Sequence, residues 1–206
     1  MFKPVVVVCA LLALGGCVTA TNTLNADQVR GFRLAGVSVA YAPNAVIIWG
    51  DGERAYAASK DIPVHEEDAA GKTPEGQAYM RGIVSSKVKT AMERTLADQL
   101  KGSKPVRVEV VVRTVQIASA VQRIVIGGTH SITADINLVE VPNGKVLLNY
   151  PAQNAASNSG QGIAGTLVDG LIGNDPIEHV ANDNAAKYRA WLLGQLWLPG
   201  GYARGI

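Results

Sequence analysis

Histidine and carboxylate side chains, the usual ligands of catalytic metals, stand side by side at one place in the sequence. His65, Glu66, Glu67 and Asp68 are consecutive. Adjacent ligands on one segment rarely converge on a single ion, because catalytic zinc sites draw spaced ligands from separate elements. The pattern therefore favours a solvated acidic loop. The sequence predicts no bound metal and no cofactor.

A second group of candidate residues is the block from Arg123 to His130. Gly127 and Gly128 allow a β-bulge or a close backbone approach, which would re-aim the flanking side chains relative to a sheet. Two interpretations stay open: a small polar recognition site formed by Arg123, the two glycines and His130, or a strand bend with a surface arginine. His130 with neighbouring carboxylates is also the group on which a hydrolase or a metal-dependent enzyme would depend.

The glycines at positions 160, 162 and 165 match the spacing of a dinucleotide-binding loop. Such a loop follows a parallel strand and opens a helix, whereas this one follows a polar stretch. The pattern favours a flexible glycine-rich loop. No nucleophile elbow is recognisable in the sequence, so we expect a protein that is not an enzyme.

Both cysteines, Cys9 and Cys17, lie in an N-terminal segment with the features of a secretory signal. Lys3 precedes an apolar run from Val5 to Leu14, and small residues follow. The run is too short to cross a bilayer, which takes about 20 apolar residues. We therefore expect an exported protein whose body has no disulfide.

The end of this segment, Leu14-Gly15-Gly16-Cys17, resembles the lipobox of bacterial lipoproteins. The resemblance implies cleavage before Cys17 and acylation of its sulfur and its new amino group, which would anchor the protein in a membrane. Val18 stands where an aspartate would signal retention in the inner membrane. The outer membrane, on its periplasmic side, is therefore favoured. The alternative is an ordinary signal peptide in which Cys17 is incidental.

Composition excludes two broad classes of protein. Of 206 residues, 48% are hydrophobic and 17% are charged, and the formal net charge is +2. A chain this apolar is not disordered as a whole, because disorder accompanies low hydrophobicity and high net charge. Nucleic-acid binding is also disfavoured, because phosphate contacts call for a dense cationic face.

Periodicity and capping signals place the main elements. Thr73-Pro74-Glu75 opens a helix whose apolar stripe runs from Met80 to Leu100. Asp175 and Pro176 open a second helix. Strands are predicted at 32–41, 106–117, 121–126, 132–138 and 145–150, with a hairpin turn at Pro142-Asn143-Gly144. A short apolar block follows the first strand at 46–49. The segments 53–71 and 151–162 are predicted to be loops.

These elements predict an α+β fold. Two helices packed on one face of a mainly antiparallel sheet of four to five strands is the economical arrangement. The predicted organisation is a lipoprotein signal peptide at 1–16, a flexible tether at 17–31, one α+β domain at 32–198 and a C-terminal tail at 199–206.

Several segments resemble a family of uncharacterised lipoproteins from marine alphaproteobacteria. They are Val37-Ser38-Val39, the block from Ile47 to Gly52, Val108-Glu109-Val110 and, above all, the block from Arg123 to His130. The likeness covers roughly residues 33 to 198 and departs from the family at the loop 56–71 and in the Asn-rich segment before the second helix. The resemblance implies a cellular location and a fold, but no enzymatic activity.

Three functional hypotheses follow. The first is an acyl-anchored, periplasm-facing lipoprotein that serves as a non-enzymatic accessory or binding module in envelope assembly or transport. The second is a small hydrolase or metal-dependent enzyme with a site around His130. The third is a homo-oligomeric envelope component that pairs through an open strand edge. Partners would be the membrane, through Cys17, and an envelope protein.

Overall fold

The computed structural model describes residues 20–119, 122, 128–158, 175–198 and 202–204. Its described α-helices are α1 (Ala26–Arg30), α2 (Gly50–Ala58), α3 (Glu67–Gly71), α4 (Pro74–Ala97) and α5 (Pro176–Leu192), with a 3-10 turn at Val64–Glu66. Its described strands are β1 (Phe32–Trp49), β2 (Lys104–Ile117), β3 (Thr129–Glu140), β4 (Val146–Asn158), β5 (Leu196–Leu198) and β6 (Tyr202–Arg204).

The α+β fold is confirmed. Strands β1 to β4 form one sheet in that order, and β5 pairs with β6 in a separate ribbon. The pairings of β2 with β3 and of β3 with β4 are antiparallel, whereas β1 lies parallel to β2. The long helix α4 makes the crossover between the two parallel strands.

The core lies between one face of the sheet and the helices α4 and α5. Alternate residues of the two central strands are buried there, because side chains on a strand point to opposite faces in turn. They are Val106, Val108, Val110 and Val112 on β2, and Ile132, Ala134, Ile136 and Leu138 on β3. The opposite face carries polar pairs across the strands, such as Asn149 with Asn137 and Asn154 with Thr133.

The two long helices begin where capping chemistry predicts. Thr73 accepts a hydrogen bond from the Gly76 backbone, and Pro74 occupies the first turn of α4. Asp175 accepts from the backbones of Ile177 and Glu178 at the start of α5. Each cap satisfies amides that have no partner inside the helix.

Both predicted loops contain regular structure. The segment 53–71 includes most of α2, the 3-10 turn and α3. Tyr56 of α2 is buried with its ring centroid 5.5 Å from that of Tyr79 on α4, so packing stabilises a helix too short for a strong sequence signal. The segment 151–158 continues β4. The strand predicted at 121–126 lies, except for Gln122, outside the described residues.

The described part of the predicted tether is packed on the domain. Asn25 caps α1 through a reciprocal pair of bonds with Gln28, and Val29 is only 1% exposed. The Asn22 amide donates to the carbonyl oxygens of Trp191 and Leu192 at 3.0 and 2.9 Å. The described chain is thus bound to the domain from its first residues onward. In the part of the chain that the structure describes, no helix is long and apolar enough to cross a membrane.

Candidate functional site

A bulge in the edge strand β1 shapes the open face of the sheet. Tyr41 pairs with Val112 of β2 and Val46 pairs with Thr114, so the four residues 42–45 stand opposite the single residue Arg113. A bulge of this kind bends a strand and interrupts its pairing. Pro43, which has no amide hydrogen to donate, is tolerated at such a position. The strand predicted at 32–41 and the apolar block at 46–49 therefore belong to one interrupted strand.

The bulge opens a groove of about 650 Å³ on the solvent-facing side of the sheet. One side of the groove is apolar, and Val46 in it is 49% exposed. Ile48, two residues further along the same face, is 53% exposed. The groove is lined by Tyr41, Ala42, Pro43, Asn44, Val46, Val111, Arg113, Thr114 and Asp135.

An ion pair forms the polar side of this groove. The Arg113 Nε and Nη2 atoms both lie 2.8 Å from Oδ2 of Asp135. The other carboxylate oxygen of Asp135 accepts from the Ala152 amide at 2.7 Å. Ala152 has a φ of 47°, in the left-handed region that side chains seldom adopt. Asp135 therefore links three strands and stabilises a strained residue, and both of its oxygens are engaged.

Tyr41 connects the groove to helix α4. Its hydroxyl donates to the Arg81 carbonyl oxygen at 2.8 Å and lies 3.3 Å from the Ser85 hydroxyl. The Arg81 guanidinium stands 5.1 Å from the centre of the ring, within the range of a cation–π contact. Burial raises the pKa of Tyr41, so the phenol stays neutral. Its role here is to hold the groove in place.

The groove combines features that suit binding. It offers exposed aliphatic side chains, a rigid tyrosine and an edge strand whose pairing is interrupted. Among its polar side chains, Arg113 and Asp135 are paired with each other, and Tyr41 is hydrogen-bonded to helix α4. Among the residues that the structure describes, no three His, Cys, Asp or Glu side chains are placed to hold a metal ion.

The predicted recognition block is only partly described. Arg123 and Gly127 lie outside the described residues, and so does Cys17. Gly128 is half-buried, and His130 is 3% exposed on the core-facing side of β3. Its Nδ1 accepts a hydrogen bond from the Ala118 amide at 3.2 Å. An imidazole this buried, with that nitrogen engaged, is not available to a substrate, which counts against the hydrolase hypothesis.

The other two histidines lie apart from the groove. His65 is exposed, with its Nε2 3.4 Å from a carboxylate oxygen of Glu66, so the acidic run from His65 to Asp68 is a helical surface segment. His179 lies in the first turns of α5, near Asp183. Neither of the two histidines lines the groove beside the β1 bulge.

Three buried polar side chains that the sequence did not predict lie between β4 and α5. Gln153, Asn184 and Tyr188 are each at most 1% exposed. The Gln153 amide donates to the Asn184 carbonyl oxygen at 2.7 Å. Within the described part of the chain, the Asn184 side-chain amide and the Tyr188 hydroxyl have no hydrogen-bond partner. The only sequence signal is their spacing, since residues 184 and 188 are four apart on one helical face.

A short ion-pair ladder joins the two long helices on the surface. Lys87 of α4 lies 3.1 Å from Asp175 and 3.2 Å from Glu178 of α5. Arg94, further along α4, donates to the Asn182 side chain at 2.6 Å. All five side chains satisfy partners within the fold, so this ladder is structural.

Comparison with known proteins gives low-similarity structural neighbours. No family model and no curated protein matches the sequence. A candidate lipoprotein from Caulobacter crescentus CB15 is 15% identical, covering 54% of this chain and 81% of its own, with a TM-score of 0.35. A DUF330 protein from Xanthomonas campestris is 11% identical over 79% and 84%, with a TM-score of 0.41. A PelC dodecamer from Paraburkholderia phytofirmans is 13% identical over 80% and 90%, with a TM-score of 0.36. These values fix neither a family nor an activity.

Proposed function

We propose that the mature chain is a lipoprotein, acyl-anchored through Cys17 on the periplasmic side of the outer membrane. In this role it is a non-enzymatic accessory module for envelope assembly or transport. The observation that carries the proposal is the sequence Leu14-Gly15-Gly16-Cys17 placed directly before a folded domain. Ala20, three residues after the cysteine, already belongs to that domain. Several acyl chains on one residue make a stable anchor.

The groove beside the β1 bulge supports a binding role for the domain. Val46 and Ile48 present apolar area along an edge strand, and the pair Arg113–Asp135 gives the groove a polar rim. An edge strand can accept an extended segment through backbone hydrogen bonds, while exposed side chains supply selectivity. The partner that fits is an extended segment of another envelope protein.

The anchor is tested by a matched pair of cysteine variants in the producing cells. Cys17→Ser removes the acylated sulfur, whereas Cys9→Ser changes the cysteine in the segment that is cut away. We expect Cys17→Ser to leave the membrane fraction and to lose incorporation of labelled palmitate, and Cys9→Ser to keep both. Retention of Cys17→Ser in the membrane with its label would contradict the proposal.

The binding role is tested with a photoreactive amino acid in place of Ile48 and, as a control, in place of Lys60, which is exposed in the turn after α2. We expect a discrete adduct with a second envelope protein from position 48 and none from position 60. An adduct with another copy of this chain would instead support the homo-oligomeric hypothesis. Equal labelling from both positions would show that the groove is not a docking surface.

A further inference from the structure

The first described residues of the chain are bound to the end of the last long helix. The Trp191 indole nitrogen donates to the Ala20 carbonyl oxygen at 3.0 Å. Asn22 donates to the carbonyl oxygens of Trp191 and Leu192. The last carbonyls of a helix have no partner within it, so Asn22 caps α5 from a position 169 residues earlier in the chain. These three bonds are here called the N-terminal clamp.

The clamp is built on rigid parts of the core. The Trp191 ring lies 4.6 Å from the Tyr150 ring of β4 and 5.8 Å from the Tyr188 ring, measured between centroids. Tyr188 is fully buried, and Trp191 packs against the core. Leu24, just after the clamp, also packs on the core. The chain is therefore held at Ala20 with respect to the whole domain.

Covalent geometry then limits the distance to the lipid. Three residue steps separate Cys17 from Ala20, and an extended chain spans at most about 3.6 Å per residue, or about 11 Å here. This step rests on the proposed acylation of Cys17. We propose that the end of the domain at the C-terminus of α5 faces the bilayer directly and contacts the lipid headgroups.

The surface at this end has the chemistry that such a contact needs. The β3–β4 turn lies at the same end as the C-terminus of α5. Asn184 contacts Gln153 of β4. Trp191, further along α5, contacts Tyr150, which is closer to that turn. Three of the exposed large apolar side chains belong to this end. They are Val141 and Val146 beside the turn and Leu196 beyond α5, with exposed fractions of 40%, 50% and 54%.

Cationic side chains flank these apolar groups. Lys145 in the turn and Lys104 at the start of β2 are exposed at the same end of the sheet. The Val141 amide donates to the Pro105 carbonyl oxygen at 3.1 Å, which holds the turn beside Lys104. Apolar side chains combined with lysines suit an interface rich in anionic lipid. We call the surface of Lys104, Val141, Lys145, Val146 and Leu196 the membrane-facing end.

The opposite end of the sheet then points away from the membrane. Strand β2 runs for 14 residues from Lys104 to Ile117, which corresponds to roughly 43 Å at 3.3 Å per residue. The buried His130 lies at that far end, where its ring meets Ala118. The groove at Arg113 lies roughly 30 Å from Lys104 by the same spacing, within reach of a partner in the periplasm.

The experiment uses the acylated mature protein, purified from membranes and reconstituted in vesicles of phosphatidylethanolamine and phosphatidylglycerol that carry a headgroup quencher. Cys17 is the only cysteine after residue 16, so an added cysteine is the only free thiol once Cys17 is acylated. Fluorophores are attached after Val141→Cys and Leu196→Cys at the membrane-facing end and after Gln116→Cys at the far end. We expect roughly threefold or stronger quenching at the first two positions, because the far label sits farther away than a bilayer core is thick.

Two further variants test the clamp. Trp191→Phe combined with Asn22→Ala removes the donors of all three clamp bonds. A Gly-Ser linker inserted between Thr19 and Ala20 leaves those bonds in place and lengthens the chain that leads to the lipid. Both variants should stay bound to the vesicles. The ratio of quenching at the membrane-facing end to quenching at the far end should fall towards one. Equal quenching at all three positions in the protein with an unaltered clamp would contradict the proposed orientation but not the acyl anchor. Failure of the protein to bind vesicles at all would overturn the anchor itself.

Discussion

The side chain of Asn184 shows what a buried polar group costs this fold. It is fully buried, and neither atom of its amide has a hydrogen-bond partner among the described residues. Leaving buried donors and acceptors unsatisfied costs about 1–3 kcal/mol. We therefore expect Asn184→Leu, which keeps the branched shape and the number of heavy atoms of the side chain, to raise the free energy of unfolding by about 1 kcal/mol or more in urea denaturation.

Asn182 is the matched control on the same helix. It is partly exposed and accepts a hydrogen bond from Arg94, so Asn182→Leu should be neutral or slightly destabilising. If Asn184→Leu lowered the free energy of unfolding instead, the amide would have to be satisfied in solution by bound water, and the energetic argument would be wrong.

Asp183 gives the fold a pH dependence. Burial raises the pKa of Asp183, and His179 offsets part of the rise. Its stabilising contribution is present below the unfolded-state pKa near 3.8 and is lost as the pH rises through the higher folded-state pKa. The ionised carboxylate is thus unfavourable at pH 7. We expect Asp183→Asn to stabilise the protein at pH 7 and to have a smaller effect at about pH 4, measured by urea denaturation.

The control for Asp183 is Glu93→Gln, which removes one charge from a partly exposed carboxylate on α4 that lies 4.0 Å from Lys89. The burial explanation would be contradicted if Asp183→Asn raised the free energy of unfolding equally at both pH values. It would also be contradicted if Glu93→Gln raised it by the same amount.

Helix α4 contains two glycines with opposite roles. A Cβ atom on Gly76 would lie 2.4 Å from the Ala70 carbonyl oxygen, whereas one on Gly82 would meet nothing within 4 Å. Alanine is favoured over glycine inside a helix by about 0.8–1 kcal/mol. We therefore expect Gly82→Ala to stabilise the protein by about 0.5–1 kcal/mol and Gly76→Ala to destabilise it. If chemical denaturation showed that both substitutions change the free energy of unfolding in the same direction, the packing of α3 against α4 would be contradicted.

Elements with strong local signals were the predictable ones. Thr73 and Pro74 predicted the start of α4, and the alternating valines predicted the buried face of β2. The same alternation puts His130 on the face of Ile132, so its burial could have been predicted. The bulge at 42–45 and the helices in 53–71 could not, because pairing with β2 and packing against α4 determine them. The groove therefore became visible only in the structure.

At the scale of the whole molecule, the N-terminal clamp changes how the domain is presented. A tether of residues 17–31 would let the domain rotate freely above the membrane. Asn22 bonds to residues near the opposite end of the chain, a contact that no local pattern contains. With the clamp in place, acylation at Cys17 would both anchor the domain and set which end faces the lipid, so the groove would keep a defined height for its partner.

The mass of the mature protein tests the central claim most directly. Intact mass spectrometry, with fragmentation of the N-terminal peptide, should find a chain that begins at Cys17 and carries a diacylglyceryl group on sulfur and an acyl group on the amino terminus. Of the 19 basic side chains only Lys3 would be lost with the signal, which leaves 18 against 17 acidic ones. An unprocessed chain of 206 residues, or a mature chain with an unmodified Cys17, would contradict the account.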